Sequence, residues 1–269
     1  MLVSLVVSTY NAPRYLSLCL ESILNQTRLP DEIVVADDGS GSPTREVVES
    51  FGERTGIPIL HIWQEDNGFR LAEIRNKAIA RSLGDYIIQI DGDILLHAGF
   101  VSDHLALASP GSVLQGSRVM LEEKRSEGLV EKQEFRVGFF SGGLKRRENA
   151  IRCLPFCRYL STRYRNRYPL YYARGCNMSF FFHDFIAVNG YDESFTGWGH
   201  EDSDLTLRML NRGFTKKYLK FAAVAYHLFH DEKKRITDNL NKKKMDEHLR
   251  LHTAWCEDGI DKYLKQKTR

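Results

Sequence analysis

Apolar positions in the first hundred residues follow two alternating rhythms. Short apolar runs rich in β-branched residues read as buried strands: 2–8 (Leu-Val-Ser-Leu-Val-Val-Ser), 33–36 (Ile-Val-Val-Ala), 57–63 and 86–90 (Tyr-Ile-Ile-Gln-Ile). Between them lie stretches with helical spacing: 15–25, with Leu16, Leu20, Ile23 and Leu24; 44–51, with Thr44 or Ser42 near its cap; and 72–82. Nearly continuous apolar strands separated by helices predict an α/β fold with a parallel sheet and right-handed crossovers. Downstream, the pattern predicts a helix over 100–108, a strand over 112–120, a strand over 175–182, a helix over 205–212 and a last strand over 220–229. Residues 121–174 are irregular and charged. Residues 231–269 are charged and helical in part, with Met245, Leu249, His252 and Trp255 able to share a face.

The strand ends carry polar groups: Thr9-Tyr10, Asp37-Asp38 and Asp91-Gly92-Asp93. In an open α/β sheet these ends gather on one edge, where ligands bind. Two carboxylates with a glycine between them, at the end of a buried strand, are costly unless a cation meets them. Asp91-Gly92-Asp93 therefore reads either as a hard-cation site, suited to Mg²⁺ or Mn²⁺ carried with a phosphate, or as a tight turn after a strand.

Composition narrows the classes. The chain has 269 residues, 42% hydrophobic and 27% charged, which admits one large domain or two small ones with a substantial core. Five cysteines, with no paired-ligand spacing, give neither a disulfide framework nor a zinc motif, and a reducing cytoplasm is the natural reading. The start lacks a basic leader region, and no apolar run is long enough to cross a bilayer. A net charge of +3 does not by itself imply nucleic acid, and no nucleic-acid motif is present. The charge is uneven, however. Lys145, Arg146, Arg147, Arg152, Arg158, Arg163, Arg165, Arg167 and Arg174 interleave with Phe156, Tyr159, Tyr164, Tyr168, Tyr171 and Tyr172. A solvated face, a contact with anionic membrane lipid, an anionic or lipid-linked acceptor and nucleic acid are the readings open to such a segment.

Four motifs in order, Val-Val-Ser-Thr-Tyr-Asn, Val-Val-Ala-Asp-Asp-Gly-Ser, Asp-Asn-Gly-Phe-Arg-Leu-Ala-Glu-Ile-Arg-Asn-Lys-Ala and Asp-Gly-Asp, resemble the family 2 glycosyltransferases of GT-A fold. The resemblance runs over about 1–232 and is weakest across 121–174. It implies a UDP-sugar donor, a divalent metal (Mn²⁺ or Mg²⁺), and a nucleotide site formed by Thr9, Tyr10, Asn11, Asp38, Asn67, Arg75 and Asp91, with Asp93 on the metal. It also implies one GT-A domain: a nucleotide-sugar half over 1–120, an acceptor and catalytic half over 121–232, and a helical extension over 233–269. Alternatives on the same fold are a non-catalytic carbohydrate- or lipid-binding module and a nucleotidyltransferase. The latter wants a glycine-rich basic loop after the first strand, which Ser8-Thr9-Tyr10-Asn11-Ala12-Pro13 is not.

Further on, Gly197-Trp198-Gly199-His200-Glu201-Asp202 sets an indole between two glycines and puts acids immediately after it. Acids at a helix start are also what the helix dipole favours. Trp-Gly-x-Glu-Asp resembles the acceptor motif of β-1,4-galactosyltransferases and of chondroitin and hyaluronan polymerases. That resemblance implies Asp202 as catalytic base, Glu201 orienting the acceptor, and Trp198 and Gly199 against a sugar ring. It further implies a metal-ligating histidine after the last strand, for which His227 and His230 both qualify. The function expected is inverting transfer to a glycan or lipid-linked saccharide in surface polysaccharide or lipopolysaccharide synthesis. The location expected is cytoplasmic, peripheral on the inner face of the membrane, with no nucleic-acid partner.

Overall fold

A computed structural model describes residues 1–164, 166–230 and 238–264. Strands β1 (Val3–Thr9), β2 (Glu32–Asp37), β3 (Ile59–Trp63) and β4 (Tyr86–Asp91) alternate with helices α1 (Pro13–Leu24), α2 (Ser42–Arg54) and α3 (Leu71–Arg81). Then come β5 (Ile94–Leu96), α4 (Phe100–Leu107), β6 (Ser112–Gly116), β7 (Arg118–Leu121), α5 (Glu123–Lys132), β8 (Leu144–Lys145) and α6 (Leu154–Leu160). The chain continues through β9 (Asn177–Phe181), α7 (Phe182–Ile186), α8 (Glu201–Asn211), β10 (Thr215–Leu219), β11 (Ala225–His227), α9 (Asp238–Leu251) and α10 (Asp261–Leu264).

Seven strands form one sheet in the order β10-β6-β9-β4-β1-β2-β3, and four form a second, β5-β11-β7-β8. The run from β4 to β3 is parallel, as the α/β rhythm predicts, while β9 enters antiparallel between β4 and β6. Side chains alternate across the large sheet. Val3, Leu5, Val7, Ile88 and Ile90 face α1, α2 and α4 in one core, and Val6, Val34 and Ile87 face α3 and α8 in another. The same alternation turns Ser8, Asp38, Gln89 and Asp91 toward α3. Ser8 and Asp91 stand side by side in the β1–β4 register. A polar column thus runs up the centre of the sheet to its carboxyl edge.

The structure corrects several sequence expectations. The single strand over 112–120 is two strands in different sheets, broken at Ser117, and the last strand over 220–229 is a turn, which follows β10, and then the short β11. Both breaks meet at one side chain: Asn177 Nδ2 donates to Ser117 O and to Ala223 O, each at 3.0 Å. Phe221 and Ala223 have positive φ, so the apolar run there is a turn. Helix α8 begins at Glu201, four residues earlier than the apolar spacing indicates, which puts the acids inside its first turn. Helix α9 ends at Leu251, so His252 and Trp255 do not share its face. Met245 alone of the four is buried, against Phe195 and Leu207. The stretch 121–174, expected to be irregular, contains α5, β8 and α6. The expectation that residue 231 opens a partly helical tail falls, up to residue 237, outside the described residues.

Candidate active site

Arg75 lies at the centre of the site. It sits on the sheet-facing side of α3, fully buried, and each arm of its guanidinium meets a different element. Nε donates to Ser8 Oγ at 3.1 Å, Nη2 to Asp91 Oδ1 at 2.9 Å and Nη1 to Asp202 Oδ1 at 2.9 Å, with Glu201 Oε1 at 3.8 Å. Burial alone would lower its pKa, but Asp202, Tyr191 and Asp91 more than offset this and hold it charged. Arg75 therefore ties the end of β4 to the first turn of α8, residues more than a hundred positions apart in the chain.

Asp202 is held from three sides. Besides Arg75, Gly175 N donates to its Oδ2 at 2.6 Å, and the Tyr191 hydroxyl lies 3.0 Å from its Oδ1 and 3.0 Å from Gln89 Oε1. A Cβ at Gly175 would stand 2.3 Å from Asp202 Oδ1 and 2.7 Å from Arg75 Nη2, so the backbone comes this close only because the residue is glycine. A carboxylate offers about four acceptor sites. The contacts use three of them, and one remains on the partly exposed side. Glu201 differs. Its Oε2 is buried without a hydrogen bond, and burial, reinforced by the Asp202 charge, pushes its carboxyl up to about 8. Asp91 is about a third exposed by area, yet crowding still desolvates it enough to push its carboxyl up to about 6, against the pull of Arg75.

Asp93, His227 and His230 also come together. Pairing of β11 with β5 sets His227 opposite Ile94, and Leu228 N donates to Asp93 O at 2.9 Å. His230 Nε2 lies 3.1 Å from Asp93 Oδ2 and His227 Nε2 3.6 Å from Oδ1, with one ligand atom from each residue inside a 4.8 Å span. Asp93 Oδ1 is buried and makes no hydrogen bond. Burial pushes His227 down, toward the neutral imidazole that ligates metals. Burial would raise Asp93, but the two histidines more than offset it. An open carboxylate oxygen beside two imidazoles, with the Asp91 carboxylate two residues away in the chain, fits a divalent cation. The nitrogen donors favour Mn²⁺ over Mg²⁺.

The remaining nucleotide-site candidates line one rim. Thr9 Oγ1 is buried without a hydrogen bond. The Tyr10 hydroxyl donates to Asp66 Oδ2 at 2.8 Å. Asn11 braces the loop after β2, accepting from Gly41 N and donating its own N–H to Ser40 Oγ. Asp38 is buried and accepts from Gln64 Nε2 at 2.6 Å and Arg70 N at 2.8 Å, while burial raises its pKa. Asn67 is exposed on the 66–70 turn and accepts on its backbone oxygen from Arg70 Nε. Gly197 N donates to Phe69 O at 2.8 Å, which joins this rim to the Trp198 loop. In that loop Gly197, Gly199 and His200 all have positive φ, and Trp198 is half-exposed. Asn241 on α9 holds the loop from behind, donating to Gly199 O at 2.9 Å. Asp204 pairs with Arg208 and His248, which fixes α9 to α8.

Sequence reasoning missed Ser8, Gln89, Gly175 and Tyr191. Gln89 had a signal, being the one polar residue inside the apolar run 86–90. The others depend on contacts that the spacing cannot show.

The fold and the grouped acids define a glycosyltransferase of GT-A architecture. The solved GalNAc-T7 with UDP, GalNAc and Mn²⁺ superposes with a TM-score of 0.67 at 13% identity, over 98% of this chain and 53% of that one. The family model described as glycosyl transferase family 2 matches residues 4–168, and that described as the N-terminal domain of galactosyltransferase matches 156–231. The chain belongs to glycosyl transferase family 2. Validoxylamine A glucosyltransferase of Streptomyces hygroscopicus subsp. limoneus is 30% identical over 221 residues, covering 79% of this chain and 48% of the relative. Chondroitin synthase of Escherichia coli is 26% identical over 260 residues, covering 91% of this chain and 37% of the relative. The chain thus spans about half or less of the length of these relatives. Among the described residues no helix is long and apolar enough to cross a membrane.

Proposed function

We propose that the chain transfers a sugar from a UDP-sugar to a glycan or lipid-linked saccharide, with inversion, in surface polysaccharide synthesis. The observation that carries this reading is Arg75, which joins Asp91 on the donor edge to Asp202 on the acceptor helix beside the Asp93, His227 and His230 cluster. Residues 1–120 form the nucleotide-sugar half and 121–232 the acceptor half. Thr9, Tyr10, Asn11, Asp38 and Asn67 frame the base and ribose. Trp198 offers its indole to the acceptor ring, and the neutral Glu201 carboxyl donates to an acceptor oxygen. Asp202 takes the proton of the attacking hydroxyl, whose oxygen closes on the anomeric carbon from the face opposite the diphosphate. General-base assistance of this kind contributes roughly 10²–10⁴-fold. A single displacement needs one base, not the paired carboxylates of a glycosidase. Asp93, His227 and His230 would hold a divalent ion, which supplies Lewis-acid stabilisation to the departing diphosphate. GalNAc-T7 is solved with UDP and Mn²⁺, which supports the donor and metal classes.

Within the basic segment 145–174, Phe156 and Tyr159 are exposed, a pairing of apolar and cationic groups suited to an anionic membrane surface, and the peripheral cytoplasmic location is part of the same proposal. The test is release of UDP from a panel of UDP-sugars with Mn²⁺ and saccharide acceptors. Acceptor-dependent release is expected. Glycan binding without any release would instead make the chain a binding module.

A further inference from the structure

A second guanidinium stands in the site with poor company. Arg118 opens β7, and its register partner on β11 is Ala225, two residues before His227. Alternation puts Val119, Tyr226 and Leu95 into the core beneath the small sheet. Arg118, Ala225 and His227 therefore share the opposite face, the one that carries the metal-ligating candidates. Arg118 is half-buried, and the one hydrogen bond its side chain makes among the described residues is Nη1 to Cys176 Sγ at 3.5 Å. Sulfur is a weak acceptor, and burial keeps this thiol protonated, pushing it up to about 11. No ion pair reaches Arg118 among the described residues, whereas the buried Arg75 and Arg208 both have carboxylate partners. A guanidinium has five donors in a planar fork, and one without a contacting carboxylate leaves most of them unmet by the protein. The location says which anion is missing. The charge of Arg118 acts on Asp91 and Asp93, while Glu201 feels chiefly Asp202 and Arg75. Cys176 follows Gly175, whose N–H holds Asp202. Arg118 thus lies between the metal cluster and the base, on the donor side.

We propose that Arg118 is a binding residue for the diphosphate of the donor, its fork meeting phosphate oxygens that the protein itself leaves unsupplied. This rests on the nucleotide-sugar reading above. Planar bidentate contact with phosphate is the chemistry for which arginine is suited and lysine is not.

The test compares the wild-type chain with Arg118→Met and Arg118→Lys, using calorimetry with Mn²⁺ and three probes: UDP, uridine and glucuronate. Loss of a charge-assisted bond should weaken UDP binding by about 10- to 100-fold in Arg118→Met, with uridine binding unchanged. Arg118→Lys should recover part of it. The ligand-free melting temperature of Arg118→Met should hold, because the side chain gives up only a long contact to sulfur and no ion pair. Undiminished UDP affinity in Arg118→Met, beside a wild type that binds UDP, overturns the inference alone. Equal loss of UDP and uridine with a lower melting temperature overturns it in favour of a structural role. Loss of glucuronate binding with UDP retained overturns it in favour of a sugar carboxylate. A wild type that binds no UDP removes the donor reading, and this assignment with it.

Discussion

Asp202→Asn is the sharpest perturbation, because the structure shows that it is not a neutral substitution. The carboxylate accepts from Arg75 Nη1 and Tyr191 on Oδ1 and from Gly175 N on Oδ2. An amide has one acceptor oxygen and two N–H donors. With its oxygen on the Arg75 side, its NH₂ faces the Gly175 N–H, two donors where the native contact is 2.6 Å. Turned over, it abandons Arg75. The better orientation leaves one donor unmet and should cost about 1–3 kcal/mol, roughly 2–10 °C in melting temperature for a domain of this size. Loss of the base should lower kcat by a further 10²–10⁴-fold or so, with donor KM little changed because the rim around Asp38 is untouched. Steady-state UDP release over both substrates, together with thermal melts, separates the two effects. Near-normal kcat beside an inactive Glu201→Gln would exchange the two roles. Normal turnover in both variants would reduce the first turn of α8 to a well-stabilised helix start. An unchanged melting temperature would refute the hydrogen-bond account of how Asp202 is held.

Glu201→Gln should flatten the pH dependence of stability. The native carboxyl holds its proton up to about pH 8 and the unfolded one only to about 4.5, so wild-type stability falls as pH rises between those values. Metal-free melts from pH 5 to 8 check this, and superimposable slopes for wild type and variant would refute it. Asp93→Ala should abolish the stabilisation by Mn²⁺, about 2.7 kcal/mol at 100 times the dissociation constant, without unfolding the protein. His227→Ala and His230→Ala should each weaken it, and a full Mn²⁺ response in both would remove histidine from the site. Gly175→Ala should displace Asp202 from Arg75 and lower both kcat and melting temperature, the latter by about 1–3 kcal/mol of stability. A fully active variant would mean that the close approach is dispensable. Asp38→Ala should weaken a preference for UDP over CDP, since the carboxylate can accept from the uracil imide N–H, which cytosine lacks. Equal competition by both nucleotides in the wild type would refute that role.

The sequence by itself determined the alternation of strands and helices, the sheet edge where polar residues gather, and the family. These follow from local periodicity and from short motifs whose chemistry is written in adjacent residues: Asp-Asp, Asp-Gly-Asp and Trp-Gly-x-Glu-Asp. Tertiary structure alone decided the rest. Whether the run 112–120 was one strand or two depended on Asn177, far along the chain, satisfying both breaks. The resemblance put Arg75 in the nucleotide site, but that β1, β4 and α8 converge on its guanidinium was visible only in the fold. Arg118 was one cation in a strand until its face and its lack of a carboxylate were visible. Even the difference between adjacent Glu201 and Asp202 is tertiary. One is surrounded by donors and the other has an oxygen with none, because α8 presents them to different neighbours. Periodicity reports which face a residue takes, whereas a site's charge balance depends on which distant groups share that face.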